Sequence, residues 1–197
     1  TKSFLTQIRQ KHKDTEVIQL LKNLSQLKVA VVGDAIIDEY YYTTLLGQSG
    51  KGIHPSVKYE SKELFAGGSL AVANHLAGFV DSVTLVTGLG TGDNYEDFIR
   101  SKLNNNITPR FYYFDKAPTV VKRRYVDGDL TKLFEVYIYD DQPSLKENDH
   151  KICTWLQNNA HSFDIVFVPD FGNGFVSQNM VRSLCDKSRF LAVNTQV

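Results

Sequence analysis

Four short, nearly continuous apolar runs punctuate the chain, around Val29–Val32, Val83–Val86, Ile165–Val168 and Phe190–Val193, and Gly, Asp or Asn follows each one. Runs of this length without polar alternation predict strands buried on both faces, as in parallel sheets. Between and around them lie segments of helical period. SLAVANHLAGF follows the Gly67-Gly68 pair, and DNYEDFIRSKLNNN has Asp93 as a candidate N-cap; LKENDHKICTWLQNNA and SQNMVRSLCDKS come later. Upstream, Phe4, Leu5 and Ile8 precede Val17, Ile18, Leu20, Leu21, Leu24 and Leu27, and the second group has helical spacing, predicting a helical extension over 1–27.

Two stretches depart from this alternation. Residues 43–56, rich in Gly, Ser, His and Pro, read as loop, and 56–65 alternates like a solvated strand. Residues 107–140 (ITPRFYYFD, PTVVKRRYVDG, LTKLFEVYIYDD) are β-branched and aromatic with turn signals between them, which predicts two or three antiparallel strands. The expected fold is α/β: a mainly parallel, helix-covered sheet over 28–197, into which a polar-faced antiparallel patch from about 40–66 and 109–140 is inserted as a flap or interface element.

Composition narrows the function. With 22 Lys+Arg against 22 Asp+Glu, the formal charge is zero, and no nucleic-acid partner is expected. No apolar run reaches the ~20 residues of a membrane span. Two cysteines, Cys153 and Cys185, form no disulfide framework, and both sit on helical patterns that favour the core; a reducing, cytoplasmic setting is expected. The chain begins at Thr1 rather than Met, which reads as a processed or excised piece.

Ligands of open parallel sheets bind beyond the carboxyl ends of the strands. There the sequence places Gly33, Asp34 and Asp38, then Gly88, Gly90 and Gly92, then Asp170, Gly172, Asn173 and Gly174, and finally Asn194. Glycines let backbone approach a ligand, and carboxylates accept from hydroxyls, which suits a polyhydroxylated small molecule. Asp34 and Asp93 serve equally well as turn or cap residues. Lys122 and Arg124 share one face of a candidate strand, where they could converge on a phosphate or merely charge an edge strand. GLGTGD lacks G-x-G-x-x-G spacing, which argues against a nicotinamide oxidoreductase. The five histidines are scattered, and neither G-x-S-x-G nor a P-loop occurs.

Taken in order, VAVVGDAIIDEYYY, AGGSLAVANHLAGF, VTLVTGLGTGD, PTVVKRRY and DIVFVPDFGNG resemble the ribokinase/PfkB-type carbohydrate kinases, nearest the heptose 7-phosphate kinase (RfaE/HldE-like) branch. The resemblance implies a three-layer sandwich with a β-lid, and phosphoryl transfer from ATP with Mg²⁺ to a sugar hydroxyl. It also implies homodimers paired through lids, and in this branch a possible fused nucleotidyltransferase. By position it implies that Asp38, Gly67, Gly68 and Asn74 bind the sugar. It implies further that Lys122 and Arg124, in T-x-x-K-x-R with Thr119, contact a substrate phosphate, and that Asp170 and Gly174 match D-[YF]-x-x-G. Ala71 stands where the branch carries Asn, and Asn173 where it carries Lys. Glu135 and Tyr137 lie near the position of an expected Arg-x-Asp. The Gly-Ala-Gly-Asp segment that carries the family's base does not occur, so the expectation is a sugar-side portion whose catalytic base lies beyond Val197. A non-catalytic sugar-binding or dimerisation module stands as the alternative.

Overall fold

The structure is a computed structural model that describes residues 2–92, 95–140 and 145–196. In chain order the elements are α1 (Lys2–Lys11), α2 (Asp14–Asn23), β1 (Lys28–Val32), β2 (Ala35–Gln48), β3 (Pro55–Gly68), α3 (Ser69–Ala77), β4 (Ser82–Gly90) and α4 (Glu96–Lys102). Then follow β5 (Ile107–Phe114), β6 (Val120–Val126), β7 (Lys132–Ile138), α5 (Leu145–Asn159), β8 (Ile165–Asp170), α6 (Gln178–Lys187) and β9 (Leu191–Thr195). Asp93, the expected cap of α4, lies outside the described residues.

The apolar runs form one parallel sheet in the order β5-β4-β1-β8-β9. Successive side chains of a strand point to opposite faces, so a strand covered on both sides needs apolar residues at every position. β1 meets that demand: Ala30 and Val32 join Ile152, Leu156, Met180 and Leu184 beneath α5 and α6. Val29 and Val31 join Leu70, Ala73 and Ile99 beneath α3 and α4.

A second sheet, ordered β3-β2-β6-β7, rises from the carboxyl end of β1. It departs from the predicted lid in three ways. ITPRFYYF is not part of it: β5 pairs parallel with β4 at the edge of the central sheet, where Pro109 forfeits only an edge hydrogen bond. The lid portion of 109–140 thus narrows to β6 and β7. Residues 43–56 are mostly strand rather than loop, because the aromatic and β-branched run from Tyr40 continues pairing with β3 through irregularities at Tyr42/Thr43 and Leu45/Gly47. Gly47 takes φ +112° at the second of them. Finally, β2 pairs antiparallel with β3 but parallel with β6, so the lid is mixed.

The N-terminal extension holds two helices, α1 and α2, neither of which buries a residue. Cys153 is buried in the α5 core, whereas Cys185 is exposed on α6, against the expectation that both are core. Among the described residues no helix is long and apolar enough to cross a membrane.

Candidate functional site

Strands β1, β4 and β5 end beneath the base of the lid, enclosing a small hollow of about 40 Å³ lined in part by Asp34, Gly88, Gly90, Thr119, Asn173 and Phe175. Asp34 is almost fully buried at its floor. Its carboxylate accepts from the backbone N–H of Phe171 at 3.0 Å and of Phe175 at 3.2 Å, and its carbonyl accepts from Ser69 N–H at 2.8 Å. One residue thereby ties the loop after β8 to the start of α3. Burial raises the Asp34 pKa above its ordinary value, opposed by the two backbone donors and reinforced by nearby Asp170.

The strand period sorts the lid into two chemically distinct faces. Asp38, Tyr40 and Tyr42 of β2 lie beside Phe65 and Glu63 of β3, Lys122 and Arg124 of β6, and Tyr137 and Glu135 of β7. This face meets the loop after β8, for the Lys122 ammonium lies 6.0 Å from the Phe171 ring centre. The opposite face carries Ile37 and Val121, which enter the core beside Ile99, and a wholly buried Glu39. Glu39 is held by Lys62 at 2.9 Å, Arg123 at 2.5 Å and the Tyr95 hydroxyl at 3.2 Å. Burial works against the Glu39 charge, and the Lys62 and Arg123 hydrogen bonds outweigh it, so its pKa is lowered.

On the Asp38 face the charges form a chain. Arg124 donates to Asp38 at 2.5 Å and to Glu135 at 3.1 Å, and stacks 5.3 Å above the Tyr40 ring. Burial disfavours the Arg124 charge, but the Asp38 hydrogen bond and charge outweigh it and raise its pKa. Glu135 also accepts from Lys132 at 2.7 Å and Tyr137 at 2.6 Å, and these donors hold its pKa down to about 2. Lys122 differs. Among the described residues its ammonium has no carboxylate partner, and its neighbours are the faces of Tyr137 at 5.4 Å and Phe171. A half-buried cation between aromatic walls is available to an anion.

Of the residues singled out from sequence, Asp38, Gly67, Lys122 and Arg124 come together. The Asp38 carboxylate lies against the Gly67 backbone, and a Cβ there would overlap it. Gly68 takes φ +59° and ψ −134°, reached by glycine alone, and turns the chain from β3 into α3. Asn74 points elsewhere: its amide donates to Lys102 carbonyl at 2.9 Å and accepts from Asn104 N–H at 2.9 Å, fastening α3 to the segment after α4. Asp170 caps its own loop by accepting from Gly172 N–H at 3.0 Å. Ala71 is exposed, and Asn173 donates back to Phe171 carbonyl at 3.3 Å. Sequence reasoning missed the work of Glu135, Tyr40 and Phe65 beside Asp38. Their alternation along three strands was visible, but not which strands are neighbours.

No protein-family model matches the chain. Curated relatives do: the bifunctional protein HldE of Trichlorobacter lovleyi is 23% identical over 168 residues, covering 85% of this chain and 34% of its own length. That of Azotobacter vinelandii is 24% identical over 168 residues, covering 84% of this chain and 34% of its own. The chain thus spans about a third of the length of the curated relatives it matches. Among solved structures, phosphofructokinase-2 from Escherichia coli in complex with fructose-6-phosphate superposes with a TM-score of 0.61 at 12% identity, covering 87% of this chain and 56% of that one. Arabidopsis thaliana ribokinase complexed with ribose and ATP gives 0.54 at 16%, covering 87% and 54%. The fold is therefore ribokinase-like, and the resemblance to carbohydrate kinases drawn from the motifs is borne out.

Proposed function

We propose that this ribokinase-like chain supplies the sugar-binding side of an ATP-dependent sugar or sugar-phosphate kinase, in which the γ-phosphoryl group of ATP passes to a sugar hydroxyl. The observation that carries the reading is the Asp38 carboxylate, seated on Gly67 and oriented by Arg124, beside the Lys122 ammonium, which has no carboxylate partner among the described residues. A carboxylate so held accepts from sugar hydroxyls, Lys122 neutralises a phosphate on the same molecule, and the lid excludes water from both. The motif resemblance favours heptose 7-phosphate. Asn74, Gly68 and Asp170 serve this site by shaping α3 and the β8 loop.

ATP and Mg²⁺ belong to this proposal through the relatives' chemistry. Among the described residues no group of three or more His, Cys, Asp or Glu could hold a metal ion, and no step is assigned through the nucleotide or its metal. What this chain contributes is orientation of the acceptor sugar.

Asn173 favours a second reading, a kinase-derived sugar-binding or dimerisation module without turnover, because its amide is spent on Phe171 where the branch carries Lys. Homodimerisation through the lid, a fused nucleotidyltransferase and a cytoplasmic setting remain part of the first reading. Calorimetric titration with neutral sugars and sugar monophosphates tests both. Binding that weakens on Asp38→Asn is expected, and ATP turnover with the bound sugar separates the kinase from the module. Absence of binding by every sugar and sugar phosphate would overturn the kinase reading; a dimer in solution would then favour the module, and a monomer would overturn both.

A further inference from the structure

α1 and α2 differ from the other helices in what they leave in water. α3, α4, α5 and α6 each bury apolar side chains against the central sheet, whereas neither N-terminal helix buries any. On α1 Phe4 is 61% exposed, and Leu5 and Ile8 are exposed with it; on α2 Leu20 is 63% exposed beside Val17, Ile18 and Leu21. Each helix has ten residues, and isolated helices shorter than about 12–15 residues are marginal in water. A surface that takes up their apolar faces stabilises such helices. The extension joins the core through Leu27 at the amino end of β1, the sheet edge opposite the one that carries Asp34 and Asp38.

Charge identifies the surface. No Asp or Glu precedes Asp14, while Lys2, Arg9, Lys11 and Lys13 do, so the zero formal charge of the chain conceals a basic amino terminus on an otherwise acidic body. All four cations are exposed, and among the described residues none of their side chains has an ion-pair partner. Their placement matters as much as their number. Phe4, Leu5 and Ile8 share one face of α1. Lys11 continues that face on the Phe4 side, and Arg9 and Lys2 on the Leu5 side; the reverse face holds the uncharged Ser3, Thr6, Gln7 and Gln10. Cations on both margins of an apolar strip reach lipid phosphates, their stems lying along the strip, while the strip itself enters the acyl boundary. Nucleic acid would leave Phe4, Leu5 and Ile8 in water, and α1 of a second copy would bring like charges together. We propose that α1 docks flat on an anionic lipid surface, with Phe4, Leu5 and Ile8 inserted and the flanking cations on lipid phosphates, and that α2 adds its own apolar face. This inference does not rest on the sugar-binding reading.

The test mixes the full chain with vesicles of phosphatidylcholine, either pure or with roughly a third phosphatidylglycerol, and sediments them. Co-sedimentation is expected with the anionic vesicles only, and should weaken as salt rises from about 0.05 M to about 0.5 M. Each cation near an anionic surface strengthens binding about 5-fold, so Arg9→Gln with Lys11→Gln should weaken it about 10- to 30-fold. Leu5→Gln with Ile8→Gln keeps every charge and should weaken it by at least as much. All four positions are exposed, so both double variants should keep the thermal melt of the parent chain. In a Phe4→Trp variant, brominated acyl chains should quench emission beyond what Trp155, the one native tryptophan, shows alone. Equal binding to both vesicles, binding to neither, or anionic binding without that added quenching would overturn the proposal. A dimer that Leu5→Gln with Ile8→Gln splits, in a chain that ignores vesicles, would also overturn it and assign the strip to a second copy.

Discussion

The carboxylate of Asp38 and the guanidinium of Arg124 meet at 2.5 Å across the parallel pairing of β2 and β6, although 86 residues separate them in the chain. Arg124 is also tied to Glu135, so it acts as a strut that orients Asp38 rather than as a free cation. Asp38→Asn keeps the shape but weakens acceptance from hydroxyls, and sugar affinity should fall about tenfold. Arg124→Lys loses the forked geometry and should reproduce much of that loss, whereas Lys132→Ala, one link further out, should leave sugar binding nearly unchanged. Calorimetry on the three variants checks the order.

The proposed role of Lys122 predicts discrimination between phosphorylated and neutral sugars. Lys122→Ala should weaken a sugar monophosphate by about 10-fold or more and leave the parent sugar unaffected, while Lys122→Arg retains most of the affinity. Equal losses for both ligands would assign Lys122 to packing between Tyr137 and Phe171 instead.

The two glycines of the pair should fail differently. Gly67→Ala inserts a methyl where the Asp38 carboxylate lies, so sugar binding should be lost. Gly68→Ala strains a backbone that only glycine adopts and crowds the Asp34 carbonyl, so stability should drop by about 1–3 kcal/mol. Thermal melts beside sugar titrations distinguish them.

Glu39 anchors the lid from its other face. Glu39→Gln leaves Lys62 and Arg123, each about 30% exposed, without their buried counter-charge, with an expected loss of about 1–3 kcal/mol in denaturant unfolding. Glu39→Ala, which also removes every acceptor from these donors, should cost more than Glu39→Gln.

Stability should also follow pH in a defined sense. The folded pKa of Glu135 is about 2, and that of Glu39 also lies below the ordinary 4.5. Their ion pairs contribute fully above about pH 4.5, and that contribution is lost as pH falls toward the folded values. Asp34 acts in the opposite direction: its pKa is raised above 3.8, so what it contributes below that pH is lost as pH rises through the folded value. Melting temperatures from pH 7 to 3 should therefore fall overall, and Glu135→Gln should flatten the fall.

Much of this protein follows from local pattern. Val29–Val32 is apolar at every position because helices cover both faces of β1, and a run of that kind has few other uses. The Asp, Gly and Asn residues at strand ends mark the carboxyl edge of the sheet for a similar reason, since all parallel strands end on one side. Pairing partners are different. Nothing within ITPRFYYF shows that it joins the central sheet, because an amphipathic edge strand and a lid strand share one alternation, and only the buried Tyr112 and Phe114 beneath α5 decide between them. Likewise Asp38, Arg124 and Glu135 each carry an ordinary surface charge in the sequence. The β2–β6–β7 register makes them one network, because a long-range pairing brings together charges whose separation along the chain carries no information about their distance. Sequence alone determined the layers and the edge at which the parallel strands end; tertiary structure decided which charges are spent on one another and which, like Lys122 among the described residues, have no carboxylate partner.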